Sequence, residues 1–148
     1  MRLLADKISR LKIEWNERPL GEEDLYELCR RFGITVDERP LTIRGFYYRA
    51  MGRDFIAIDS GLRWPERLGV LFHELGHFLL HAPRTGPAAG FHGVGRLTRK
   101  EREADVFALC ALIPKPVVET RSIDELLSDG FTSEMIAARS EIYENYGL

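Results

Sequence analysis

His73-Glu74-Leu75-Gly76-His77 places two histidines four residues apart, with a glutamate directly after the first. In an α-helix four residues advance about 6 Å and turn about 400°, so both imidazoles leave nearly the same face, one turn apart. Two neutral imidazoles in that relation can grip one divalent cation, and Zn²⁺ suits them well. Glu74 points toward the same cleft, where it can take a proton from an attacking water as general base. Two ligands and a base make a hydrolase arrangement. The competing reading, two histidines held by ordinary packing, must leave this trio on an inner face without a cation, at a desolvation penalty on the order of several kcal/mol. It must also treat the pattern as chance, which shuffling this composition would produce in roughly one case in a hundred.

A catalytic zinc site needs a third protein ligand and an open position for water. Thr98-Arg99-Lys100-Glu101-Arg102-Glu103-Ala104-Asp105 offers two glutamates at the start of a later helix. Glu101 shares a stripe with Ala104, Asp105, Ala108 and Leu112, the small and apolar side suited to press on the metal helix, whereas Glu103 is rotated by about 200°. Glu101 is the expected ligand and Glu103 the alternative, because Thr98 and Glu101 also spell a capping box that would occupy the Glu101 carboxylate locally. Asp105, one turn beyond Glu101, can receive the second N–H of a ligand histidine.

Other polar candidates have plainer expectations. His81 lies some 12 Å of rise from His73 and is expected to serve the C-terminal dipole of its helix, not to ligate. His92, in the glycine-rich stretch 82–97, can steady a developing oxyanion, with solvent exposure as the simpler reading. Tyr47 and Tyr48 are expected to pack in a strand. Arg84, Arg96, Arg99, Lys100 and Arg102 read as a solvated basic face or an entry for an acidic peptide. Gly76 costs its helix about 1 kcal/mol relative to alanine, which points to a close approach by another element.

The elements needed to hold these residues are legible in the spacing. Leu3, Leu4, Ile8, Leu11 and Trp15 predict an amphipathic helix over 1–17, ended by Pro19, and a second helix begins at Glu22-Glu23-Asp24 and is capped by Gly33. Ile34-Thr35-Val36 opens a β-rich stretch, followed by a hairpin with arms at 43–48 and 54–58 around Met51-Gly52. Pro65 starts the metal helix, which runs through Leu68, Leu71, Phe72, Leu75, Phe78 and Leu79. The stretch 82–97 is too long for a connector and is expected to cover a site. A helix over 98–112 is stopped by Pro114 and Pro116, Ser122 with Glu125 caps a short helix ending at Gly130, and a last helix spans 132–146. The expected organisation is one domain over residues 1–148, in the order helices, small sheet, helices.

Composition narrows the function classes. With 148 residues, 45% hydrophobic and 30% charged, the chain can bury a sizeable core without a structural metal or disulfides, so a metal here is more simply functional. A net charge of −2 and a pI near 6.1 argue against a direct nucleic-acid or anionic-membrane binder. Cys29 and Cys110 form no C-x-x-C pair and read as reduced thiols. The N-terminus lacks a secretory signal and the longest apolar run, 106–113, is too short for a bilayer, so a cytoplasmic protein is expected.

Gly45-Phe46-Tyr47, Ile56-Ala57-Ile58-Asp59, the segment from His73 to His81, Glu101 to Ala108 and Leu112-Ile113-Pro114 together resemble the ImmA/IrrE metallopeptidase family, in that family's order over roughly residues 20–146. The resemblance implies an α+β, zincin-like fold with a three-stranded sheet beside the metal helix, and a gluzincin-type E-x-x-x-D helix that maps onto Glu101 and Asp105. Many members carry asparagine where Asp105 stands. The resemblance also implies an intracellular protease that cleaves helix-turn-helix transcriptional repressors, here in the stand-alone form without a helix-turn-helix module. The expectation is a Zn²⁺ centre held by His73, His77 and Glu101, with Glu74 as the catalytic base. Two rivals stay open: a non-catalytic anti-repressor of the same fold, and a zinc hydrolase of a small amide.

Overall fold

The computed structural model describes residues 1–82, 88–89 and 98–148. Helices α1 (Arg2–Ser9) and α2 (Glu22–Phe32) come first, followed by strands β1 (Ile34–Arg39), β2 (Gly45–Ala50) and β3 (Arg53–Asp59). After these come α3 (Glu66–His81), β4 (Ala88–Ala89), α4 (Arg99–Leu112), α5 (Lys115–Thr120), α6 (Ile123–Asp129) and α7 (Ser133–Tyr146). The protein is α+β, as the resemblance implied.

Local chemistry explains most boundaries. Gly33 ends α2 in the left-handed region at φ 69°, and Ser122 and Glu125 make the reciprocal cap of α6. Met51 and Gly52 both take positive φ, 51° and 73°, the mirror-image turn whose twist matches the strands it joins. β3 lies at the centre of a mixed sheet, parallel to β1 from Ile34↔Asp54 and antiparallel to β2 from Gly45↔Ile58. The expected three strands are joined by a fourth, because β4 pairs with the outer edge of β2 at Tyr48↔Ala89 and Arg49↔Ala88.

One apolar cluster runs from the N-terminal helix to the last. Ile56 and Ile58 from the sheet, Leu71, Phe72 and Leu75 from α3, and Phe107 from α4 are fully buried in it. Two expectations need correction. The N-terminal helix does not extend to residue 17: α1 stops at Ser9, and Lys12 and Asn16 take φ of 53° and 62°. The segment instead winds across α4, where the Trp15 indole donates to the Phe107 carbonyl at 2.8 Å and the Leu20 N–H to the Ala111 carbonyl at 2.8 Å. A buried indole N–H needs such an acceptor, and a continuing helix would not deliver it. The second correction concerns Pro114 and Pro116, which end α4 but also open α5, where a missing N–H costs nothing in the first turn.

At the far end, buried Arg139 of α7 donates to the Ile113 carbonyl at 2.6 Å, to Asn16 Oδ1 at 3.1 Å and to the Leu148 carbonyl at 3.0 Å. One side chain thus ties α7 to the N-terminal segment and the end of α4. Among the described residues, no helix is long and apolar enough to cross a membrane.

Candidate metal centre

The site exists because α3 and α4 approach closely at Gly76. A Cβ there would stand 3.0 Å from Phe107 Cδ1 and 3.4 Å from the Ala104 Cα, so the glycine and the small Ala104 let α4 lie against the metal-helix face. Gly45 serves a similar purpose where β2 passes α3, since its Cβ would meet the Ala57 carbonyl at 2.7 Å and Val70 Cγ1 at 2.9 Å.

At that junction three side chains converge. The Nε2 atoms of His73 and His77 are 3.1 Å apart. Glu101 reaches both, with Oε2 3.2 Å from His73 Nε2 and Oε1 2.9 Å from His77 Nε2. Tetrahedral zinc bonds of about 2.0–2.1 Å place ligand atoms about 3.3 Å apart, so these separations have the size of one small coordination polyhedron. Thr98 Oγ1 accepts from the Glu101 N–H at 3.2 Å, but the reciprocal half of the capping box is not made and the carboxylate turns inward.

The surrounding hydrogen bonds decide which nitrogens carry protons. His73 Nδ1 lies 2.7 Å from Asp105 Oδ1 and donates to it, which leaves Nε2 as the nitrogen that can meet a cation. His81 Nε2 lies 2.9 Å from Glu103 Oε2 and donates in the same way, which leaves His81 Nδ1 bare. That atom is 3.1 Å from His77 Nδ1 and can accept from it, which leaves His77 Nε2 as the nitrogen that can meet a cation. The two Nε2 atoms and a carboxylate thus face one point, and with Nδ1 carrying each ring's proton they make a donor set for a cation.

The carboxylates around the junction favour positive charge there, whether carried by a proton or by a metal ion. Burial opposes charge on His73, yet the Asp105 hydrogen bond and the charges of Glu74, Asp105 and Glu101 outweigh it and raise its pKa above that of an ordinary histidine. Burial holds His81 below the ordinary value despite Glu103, so its ring is neutral near pH 7. For Glu103 burial works upward, but hydrogen bonds from His81 and Arg99 prevail and keep its pKa low.

Glu74 is fully buried in the protein, yet it lines a cleft of about 540 Å³ together with His73, Glu101 and Asp105. Ile43, Arg44 and Gly45 at the entry to β2 form one wall, and Val70, Leu112, Met135 and Ala138 form an apolar one. The arrangement can hold a divalent ion with a buried carboxylate beside it.

The sequence reading placed the two histidines, the glutamate and Asp105 where they are found together. It treated His81 as a helix-end residue and Glu103 as a rival ligand. The structure instead joins these two to each other behind His77, and the four-residue step from His77 to His81 was the available signal. The wall from α7 carried no signal. Tyr47 packs as expected, 5.8 Å from the ring of Phe78, with its hydroxyl donating to Asp54 at 2.6 Å; Tyr48 stacks on Phe55. Arg99 pairs with Glu103 at 2.8 Å. His92, Arg84, Arg96 and most of the stretch 82–97 expected to cover the site lie outside the described residues.

Comparison with known proteins accords with this geometry. No solved structure matches the chain. A curated relative, the uncharacterized immunity region protein 2 of Bacillus phage phi105, is 34% identical over 106 residues, covering 70% of this chain and 67% of the relative. The pattern of the IrrE N-terminal-like domain matches residues 29–138, a span that holds His73, His77, both glutamates of α4 and the whole sheet. The chain belongs to the IrrE N-terminal-like domain family of peptidases.

Proposed function

We propose that this chain is a zinc-dependent endopeptidase that cleaves a helix-turn-helix transcriptional repressor in the cytoplasm, with residues 1–148 acting as one zincin-like unit. The observation that carries this reading is the convergence of three potential ligand atoms, from His73, His77 and Glu101, beside a cleft that Glu74 also lines. A zinc ion held there supplies Lewis acidity toward a carbonyl and brings the pKa of water near neutrality. Glu74 takes the proton from the attacking water and returns it to the leaving amine. Asp105 keeps His73 in the tautomer that leaves Nε2 bare.

The groove suits an extended chain. Ile43, Arg44 and Gly45 line it where β2 begins, upstream of the two positions that β4 occupies. A substrate strand laid antiparallel there gains main-chain hydrogen bonds whatever its side chains. The immunity-region name of the phage relative supports a repressor as the target. The acidic net charge supports contact with DNA through that partner only.

The decisive experiment co-expresses the protein with a helix-turn-helix repressor and its reporter promoter, comparing wild type with Glu74→Gln. Wild type is expected to generate a new repressor terminus by mass spectrometry and to switch the reporter on; Glu74→Gln is expected to bind zinc normally and do neither. Derepression by Glu74→Gln without cleavage would replace this reading with the non-catalytic anti-repressor. Hydrolysis of small amides with repressor left intact would replace it with the small-molecule hydrolase.

A further inference from the structure

We propose that His81 and Glu103 are positioning residues for the metal centre: a second imidazole and a carboxylate in series that hold His77 in its metal-binding tautomer. This rests on the metal reading above and extends it beyond the ligands. The observation is the unbroken chain from His77 Nδ1 to His81 Nδ1 at 3.1 Å, from His81 Nε2 to Glu103 Oε2 at 2.9 Å, and from Glu103 Oε1 to Arg99 Nε at 2.8 Å.

Each link has one consistent direction. Arg99 donates to Glu103, the Glu103 carboxylate accepts from His81 Nε2–H, the bare His81 Nδ1 accepts from His77 Nδ1–H, and His77 Nε2 is left bare toward the centre. His73 reaches the same state through a single carboxylate, Asp105, at 2.7 Å. The difference follows from the helix geometry. Asp105 is one turn from Glu101 on the side of α4 that faces His73, whereas Glu103 is rotated to the opposite side and reaches only the end of α3. His81, one turn beyond His77, spans that gap. The side chains of His77, His81 and Glu103 are 8%, 9% and 14% exposed, so water is a poor substitute for any of them. Without His81 the His77 ring loses this acceptor at Nδ1, and a shift of its proton to Nε2 closes that ligand position.

The test measures zinc affinity of purified full-length variants by competition with a chromophoric chelator, alongside the visible spectrum of the cobalt-substituted protein and thermal unfolding in excess chelator. His81→Leu is expected to lose 10- to 100-fold in zinc affinity, the range that outer hydrogen-bond partners of ligand histidines command. His81→Asn, whose amide oxygen can occupy the place of Nδ1, is expected to recover most of that loss and the wild-type cobalt spectrum. Glu103→Gln is expected to fall between them. Zinc-free unfolding temperatures of His81→Asn and Glu103→Gln should match wild type, which a merely structural role would not allow. Wild-type affinity in His81→Leu, or an equal loss in His81→Asn, overturns the proposal while leaving the metal centre standing. Wild-type protein that binds no more zinc than His77→Ala overturns the metal reading itself.

Discussion

On the proposed metal reading, Asp105 governs His73 through a single hydrogen bond. Its carboxylate accepts from His73 Nδ1 at 2.7 Å and so keeps Nε2 available. Asp105→Ala should weaken zinc binding about 10- to 100-fold in chelator competition, and Asp105→Asn, which retains an acceptor oxygen, should weaken it far less. The two cysteines have the opposite character, since burial outweighs the nearby cations, Arg30 and Arg139, that favour their charged form. Burial pushes Cys29 and Cys110 up to about 11 from the ordinary 9.0. An acid with a raised folded pKa adds stability that is complete below the unfolded value and is lost as pH climbs through the folded one. The unfolding free energy from denaturant titrations should therefore fall between about pH 9 and 11. At pH 8 iodoacetamide should label neither thiol in native protein and both after denaturation.

At the scale of elements, the site depends on how closely α3 and α4 can lie. Gly76 faces Ala104 and Phe107 at contact distance, and Glu101 reaches both imidazoles only from that separation. A branched side chain at position 76 forces the helices apart. Gly76→Val should cost about 1–3 kcal/mol in urea unfolding, typical of overpacking in a filled core. It should also lower zinc affinity beyond what the stability loss accounts for, because the Glu101 oxygens retreat from the centre. The segment between α1 and α2 supports the same junction from behind. Trp15 stacks on Phe107 at 6.2 Å while its N–H satisfies the Phe107 carbonyl, and Phe107 in turn meets Phe72 of α3 at 6.2 Å.

For the whole molecule, the proposed ligands come from two helices, so metal binding and folding would be one linked process. An ion that binds only the assembled site stabilises the fold by about 2.7 kcal/mol when present at 100 times its Kd. In a chain of this length each kcal/mol shifts Tm by about 2–4 °C, so zinc should raise the midpoint by roughly 5–10 °C in scanning calorimetry. Excess chelator should remove that increment, and His77→Ala should never show it. The apo protein should still unfold cooperatively, because the apolar cluster running from α1 to α7 contains no member of the metal centre.

Local chemistry was enough to mark the helix that bears His73 and His77, the hairpin around Met51-Gly52, the caps at Gly33, Ser122 and Gly130, and the inward stripe of α4. Each of these depends on neighbours within a few residues, where helical period and turn geometry act directly. What lay beyond such short-range rules was set by packing. The turn out of α1 at Ser9 answers the need of the Trp15 indole for a carbonyl 92 residues away. The fourth strand, the α7 wall of the cleft and the pairing of His81 with Glu103 likewise join segments remote along the chain, and spacing within one helix carries no information about which distant side chain will meet it. The residue types declared a metal chemistry; which carboxylate faces the imidazoles, and which stands behind them, was settled only when α4 came to rest on Gly76.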